Sequence, residues 1–477
     1  MNSSRIDSKW TVLTVICLGI LMVAMDEGAV RIILPQLGTE YGVRADDVVW
    51  VWLIYLLVGA GLVLTLGRLG DAFGRKPIYV VGLALFTVGL SLSAVAPGLA
   101  ALIAVRAVQA VGAAMALSMG TAILTASFPS EERGRALGIL AAVVSVGLLS
   151  GPAAGGALLD WLGWRAVFYV RIPLCLLAFL LAIPLLRREP PARKHKGFDV
   201  AGALTVFIGL SAGLVAINRG QSLGWTSPYV IGLFALGIAM LVAFIWTEKK
   251  SVDPVLDLSL FSSRVFGAAN AAHSLFYVST IALRFGMPFF LIQSLQLPAA
   301  TAGLLLALME GVRGIFSPIS GRLSDKLGTW VLVTAGMAIV LLGTLPMLTW
   351  KSDASIVGLL PFLIVFGVGM GLFVAPIQST IMGCTPKAQL GTASAMVATT
   401  RQIGSSLGLA IAGMAFIRAK LASEAVLSTQ GLAAKAVEVE STLAGFQAVV
   451  WVALGFALLG LLVLLLRGRE AKPSSQE

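Results

Sequence analysis

Polar positions are so sparse along this chain that its hydrophobic pattern is continuous rather than periodic. Fourteen apolar runs of about 20 residues follow one another with short connections, and that length crosses a hydrocarbon core of about 30 Å. Their limits are 11–35, 48–67, 77–96, 99–126, 136–160, 164–186, 199–218, 227–247, 264–293, 299–320, 329–350, 354–383, 389–417 and 444–466. Unbroken runs of this length predict membrane-spanning helices rather than strands or surface helices. The first run is too long for a signal peptide, carries Asp26 and Glu27 and lacks a small-residue cleavage site, so it reads as the first span.

Composition agrees with an all-α polytopic membrane protein: 58% of the 477 residues are apolar and 12% are charged. The three cysteines, Cys17, Cys175 and Cys384, lie in or beside apolar runs without CxxC spacing, which supports neither a disulfide framework nor a metal site. A formal charge of +11 raises the question of nucleic acid, but there is no soluble domain on which a basic patch could form. The charge has a topological explanation instead. With a cytoplasmic amino terminus, 21 of the 34 Lys and Arg fall in inside segments and seven in outside segments. A multi-pass protein of the cytoplasmic membrane is expected, with both termini inside and the lipid bilayer as its main partner. The basic loop 187–196 contributes to that bias, with anionic-lipid binding as an alternative.

A repeat suggests the architecture. Residues 67–74 read GRLGDAFG and residues 321–328 read GRLSDKLG, both fitting GRLxDxxG at the end of the second and tenth runs. Two related halves are the simplest source of such a recurrence. The offset is eight runs rather than six, so runs 199–218 and 227–247 read as two helices inserted between six-helix halves. The expected organisation is a first half over residues 1–186, a linker with two extra spans over 187–263, and a second half over 264–477 with an outside segment at 418–443, where a short hairpin or amphipathic helix is expected. Gly67, Asp71, Gly74, Arg75 and Asp325 are candidate parts of a gate latch, since glycines allow close approach and acids and bases can pair in one state and separate in another. Gly147, Gly151, Pro152, Gly155 and Gly156 form a small-residue face with a proline, suited to a hinge or a tight seam.

These motifs resemble those of the major facilitator superfamily, and specifically its fourteen-span drug:proton antiporter branch, over nearly the whole chain. The loop 67–76 is similar to the G-x-L-x-D-x-x-G-R-K signature. Residues 106–112, RAVQAVG, resemble the fourth-span R-x-x-Q-G-x-G motif, and 147–156, GLLSGPAAGG, resemble the fifth-span antiporter motif. The segments 199–202 (DVAG), 257–261 (DLSLF) and 400–404 (TRQIG) also look like that branch. The resemblance implies the major facilitator fold, alternating access and export, with an acid at Asp26 taking part in substrate or proton binding. Arg31 and Arg171 stand where related proteins commonly carry Asn.

Away from the ends of the spans lie nine charged groups: Asp26, Glu27, Arg31, Arg106, Arg171, Arg284, Glu310, Arg313 and Arg401. Each costs about 2.5–3.5 kcal/mol against lipid, so they are expected to line a shared interior. Helical spacing pairs Glu27 with Arg31 at i,i+4 and Glu310 with Arg313 at i,i+3. Asp26 points about 100° away from Glu27 and is left as the carboxylate freest to exchange a proton, with Arg106 as its partner in the charged state. The proton-coupling set is therefore Asp26, Glu27 and Arg106; Arg31, Gln109, Arg171, Arg284, Glu310, Arg313 and Arg401 are assigned to the substrate cavity. Six arginines against three acids favour an anionic or zwitterionic compound. His273 reads as a core residue, and Trp10, Trp50, Trp161, Trp225 and Trp350 as interface anchors. The expected function is proton-coupled export of a small amphipathic compound by a monomer, with protons as coupling ion and no other cofactor or metal. An exporter or flippase of anionic metabolites or lipids is the alternative. No nucleophile–base set or phosphate loop suggests an enzyme.

Overall fold

The computed structural model describes residues 7–59, 62, 74–128, 132–186, 200–250, 260, 262–384, 390–430 and 432–467. Among them are helices and turns and no strand, as a hydrocarbon solvent requires of a chain that must satisfy its own backbone groups. The main helices are α1 (Asp7–Tyr41), α2 (Trp50–Gly59), α3 (Arg75–Ala94), α4 (Leu99–Ser127), α5 (Arg133–Leu162), α6 (Trp164–Leu185) and α7 (Val200–Leu223). They continue as α8 (Pro228–Lys250), α9 (Arg264–Phe289), α10 (Ala299–Leu327), α11 (Thr329–Thr344), α12 (Ile356–Gly383), α13 (Leu390–Thr429) and α14 (Ala434–Arg467). Each of the fourteen apolar runs thus holds a helix. Twelve of these are long and apolar enough to cross a membrane, α2 and α7 being the two that fall short in their described parts.

Prolines mark where helices depart from regular winding. α6 is broken at residues 170–171, with Pro173 in the first turn of its second piece. α9 passes Pro288 and widens into a π turn at Phe290–Ser294. α11 tightens into a 3₁₀ turn, Leu345–Thr349, that holds Pro346.

The helices pack as two groups. In the first, α1 lies along α5 and touches α4 and α6, while α3 pairs with α4. In the second, α9 packs against α13 and α14, and α12 against both α10 and α11. α7 and α8 form a hairpin beside the bundle, joined to it chiefly through α7 and α13. Ile231, Ile238, Val242 and Trp246 of α8 are more than half exposed, as suits a lipid-facing helix.

The two groups meet most extensively where α5 lies against α10, and glycines permit the contact. A methyl group added to Gly156 would stand 2.2 Å from the Ala299 carbonyl oxygen, and one added to Gly303 would stand 2.2 Å from that of Pro152. The same stretch of α5 also abuts α1: an added methyl at Gly151 would lie 2.5 Å from the Met25 carbonyl oxygen, and Pro152 sits against Gly28. Asp160, at the end of α5, caps α10: its two carboxylate oxygens accept from the Ala299 and Ala300 N–H groups at 2.9 and 2.7 Å.

The repeated GRLxDxxG element has one directly comparable atom-level feature. Its last glycine precedes α3 in one copy and α11 in the other, and Gly74 and Gly328 share a left-handed φ, at 92° and 86°. Only glycine adopts that backbone without strain. Gly67 and Asp71 lie outside the described residues, as does the Asp325 side chain; Arg75 reaches the Ala122 carbonyl at 3.5 Å. Neighbouring Lys76 donates to the carbonyls of Ile183 and Leu186, fastening α3 to the end of α6.

Two local expectations change. Segment 418–443 is no separate element, because α13 and α14 simply run on to Thr429 and from Ala434. Trp350 is no interface anchor: it is 5% exposed and stacks with Phe290 and Phe446, ring centroids 5.4 and 5.9 Å apart.

Candidate functional site

α1 is the element from which the site is built, because its long apolar helix carries Asp26, Glu27 and Arg31 between the two groups of helices. Asp26 faces into the first group and is fully buried. Its Oδ2 accepts from Arg106 Nη1 of α4 at 2.6 Å and its Oδ1 from Arg171 Nη1 at 2.7 Å. Both arginines are fixed from behind. Arg106 Nε donates to the Val51 carbonyl, its Nη1 also to Gln109 Oε1, and its guanidinium carbon lies 4.4 Å from the Tyr55 ring centroid. Arg171 stands at the break in α6, where its Nε donates to the Val167 carbonyl left over at the end of the first piece.

Asp26 is therefore the most tightly held carboxylate of the site, not the freest. Arg106 was the partner expected from sequence, whereas Arg171 was not, and it arrives from 145 residues away through the packing of α6 on α1.

Glu27 is the reverse case. It is half-buried, and its carboxylate has no hydrogen bond or ion pair among the described residues. The expected i,i+4 pair with Arg31 is absent. Arg31 Nε donates instead to the Glu27 backbone carbonyl at 3.1 Å, and its Nη1 lies 3.5 Å from Glu310 Oε1 on α10. The guanidinium has been drawn across to the second group of helices, with its carbon 5.6 Å from the Trp52 ring centroid.

Glu310 gathers three arginines. Arg284 Nη2 of α9 lies 2.9 Å from its Oε1, Arg313 Nε donates to Oε2 at 2.9 Å, and Arg31 completes the set. Arg284 and Arg31 are nearly fully buried and Arg313 mostly so. One acid against three bases leaves excess positive charge where charge is costly to bury. Arg401 on α13 is half-buried, and its guanidinium has no hydrogen bond or ion pair among the described residues. Beside it, Gln402 donates to the Leu56 carbonyl and ties α13 to α2. His273 is buried against Thr400 Oγ1 at 2.9 Å.

Structure thus brings Asp26, Arg106, Gln109 and Arg171 into one network, and Arg31, Arg284, Glu310 and Arg313 into a second. It leaves Glu27 between them and Arg401 apart. Trp52 and Tyr55, which link the two networks through α2, were not among the residues singled out from sequence. The signal was available: two amphipathic aromatics at i,i+3 stand on one face of an apolar helix. Among the described residues no group of three or more His, Cys, Asp or Glu could hold a metal ion.

Comparison with known proteins identifies the family. Residues 16–409 match the Major Facilitator Superfamily. The riboflavin transporter RibZ of Clostridioides difficile (strain 630) is 33% identical over 402 residues, covering 84% of this chain and 87% of that protein. The multidrug resistance protein Stp of Mycobacterium tuberculosis (strain CDC 1551 / Oshkosh) is 32% identical, over 83% and 74% respectively. Among solved structures, a bacterial homologue of the human lysosomal transporter Spinster superposes with a TM-score of 0.72 at 15% identity, covering 98% of this chain and all of that one, which speaks for the fold. The chain belongs to the Major Facilitator Superfamily and is a multi-pass membrane transporter of small molecules rather than an enzyme.

Proposed function

We propose that this protein exports small amphipathic compounds across the cytoplasmic membrane in exchange for protons, by alternating access of two six-helix halves. In this reading α1–α6 (residues 1–186) and α9–α14 (264–477) are the halves, and α7 and α8 within 187–263 are inserted, making fourteen spans with both termini cytoplasmic. A monomer suffices. The similarity to a multidrug resistance protein supports export, and the distribution of Lys and Arg supports the orientation.

The observation that carries proton coupling is the contrast on α1 between clamped Asp26 and Glu27, whose carboxylate has no hydrogen bond or ion pair among the described residues. A group that takes up and releases a proton in each cycle must lose little when it does so. Neutralising Asp26 would strand two buried guanidinium groups, whereas neutralising Glu27 breaks no hydrogen bond or ion pair among the described residues. Glu27 is therefore the proton carrier, with Asp26 and Arg106 holding α1 in place. One turn further on, Arg31 reaches Glu310 of the other half, so a charge change at Glu27 is felt at the joint between the halves.

Purified protein in liposomes with a trapped pH indicator tests this. Matched xanthene dyes of opposite charge, fluorescein and rhodamine 123, serve as cargo. Wild type should move protons against dye movement. Glu27→Gln should lose proton movement while still exchanging dye for dye; retained proton movement in Glu27→Gln would sink the reading.

Similarity to the riboflavin transporter favours a second reading, with a flavin-sized heterocycle as cargo. Riboflavin fluorescence in the same vesicles separates the two: uptake or release of riboflavin with no movement of either dye would replace the amphiphile reading.

A further inference from the structure

Buried hydrogen-bonding atoms without partners are rare in proteins, and each costs about 1–3 kcal/mol, more when charged. Along the network that joins the two halves most of them are donors. Arg31 Nη2, Arg284 Nε and Trp52 Nε1 are buried N–H groups with no hydrogen-bond partner among the described residues, and none of them can accept; the acceptor there that makes no hydrogen bond, Glu310 Oε1, already lies 2.9 and 3.5 Å from nitrogens of Arg284 and Arg31. The charge is lopsided in the same direction. Arg31, Arg284 and Arg313 face Glu310, with Glu27 near by, so one positive charge remains uncompensated in a region shielded from water.

We infer that Arg31, Arg284 and Arg313 form the subsite that binds the anionic oxygen group, a carboxylate or phosphate, of the transported compound. The inference rests on the transporter reading and adds the cargo's chemical class. Glu310 serves as the resident counter-ion. Its two oxygens already engage one nitrogen from each of the three guanidinium groups, and the planar fork of each guanidinium has further donors to give. A bound oxyanion satisfies the unpartnered N–H groups and the surplus charge together. A water molecule can do only the first, and a cation would meet repulsion. The subsite also spans the joint: Arg31 comes from the first group of helices, Arg284 and Arg313 from the second. An anion seated there holds both halves at once, so its arrival and departure bias their relative position.

The test is equilibrium binding by fluorescence anisotropy, with the full chain in phosphatidylcholine nanodiscs at mildly alkaline pH. Fluorescein and rhodamine 123 share a xanthene ring and differ in the sign of their charge. Fluorescein should bind at least about tenfold more tightly. Arg31→Gln and Arg284→Gln should each weaken fluorescein about tenfold or more, the scale of one lost charge-assisted contact, and leave rhodamine 123 unchanged or tighter. Glu310→Gln should tighten fluorescein, a gain that misfolding cannot produce. Preference for rhodamine 123, or fluorescein affinity indifferent to both arginine changes, overturns the proposal.

Lipid headgroups carry the same chemistry, and doping the nanodiscs with phosphatidylglycerol separates the sources. Competition by phosphatidylglycerol but not by dissolved benzoate gives the subsite to a lipid phosphate; competition by benzoate gives it to a soluble anion. Either result supports the oxyanion assignment. The two readings also fail separately. Fluorescein bound through these arginines yet never moved in liposomes would sink the transporter reading and keep the subsite. Rhodamine 123 moved with protons while fluorescein fails to bind would do the opposite.

Discussion

Asp26 and Glu310 are both fully buried carboxylates ringed by arginines, yet their surroundings differ in the one respect that matters for a moving protein. The two guanidinium groups on Asp26 come from α4 and α6, within its own group of helices, and each is pinned by a backbone carbonyl. Of the three on Glu310, one belongs to α1 in the opposite group and stands farthest off, at 3.5 Å. Similar ingredients make an internal clamp in the first case and a joint between the two groups of helices in the second. Where the partners come from, rather than how many there are, decides which.

The largest effect should follow from breaking the clamp. Asp26→Asn removes the charge that holds Arg106 and Arg171, and loss of one partner of a buried pair costs about 3–5 kcal/mol. Thermal unfolding in detergent should show a large drop that added anions do not restore. Glu310→Gln should also destabilise, but here the contrast predicts rescue: an oxyanion at about 100 times its dissociation constant returns about 2.7 kcal/mol by mass action. Equal behaviour of the two variants toward fluorescein or benzoate would erase the distinction between clamp and joint.

A smaller effect probes the seam beside the joint. Gly156→Ala places a methyl against the Ala299 carbonyl and should cost about 1–3 kcal/mol, with transport slowed in liposomes. Gly232→Ala on α8, where nothing lies within 4 Å of the added methyl, is the matched control and should leave both unchanged. The smallest effect isolates burial from distance. Lys9 lies 2.6 Å from Glu132, the same separation as Arg106 from Asp26, but with side chains 28% and 42% exposed. Glu132→Gln should therefore change stability by no more than about 1 kcal/mol.

Much of the fold was legible because membrane spans announce themselves locally. Fourteen apolar runs gave fourteen helices, and the GRLxDxxG repeat placed glycines where Gly74 and Gly328 adopt matching backbone angles. The Glu310–Arg313 contact was legible for the same reason, since i,i+3 neighbours meet on any helix. Spacing failed where a competing partner lay elsewhere in the chain. Arg31 could have paired with Glu27 at i,i+4, but Glu310, 279 positions later, is the acid it reaches. Asp26 looked free for the same reason: nothing on α1 suggests that the broken α6 delivers Arg171 to it. Trp350 sits at the end of an apolar run like the exposed Trp161, and only the rings of Phe290 and Phe446 distinguish a core residue from an anchor.

By itself, then, the sequence determined that this chain lives in a membrane, that each apolar run holds a helix, and which ionisable side chains must hide from lipid. Those are properties of length, composition and near neighbours, fixed by the cost of exposing backbone and charge to hydrocarbon. Only the tertiary structure decided which acid is clamped, which has no partner among the described residues and which joins the two groups of helices. Ion pairing depends on distances of a few ångströms between groups far apart along the chain, and helix packing alone sets those distances.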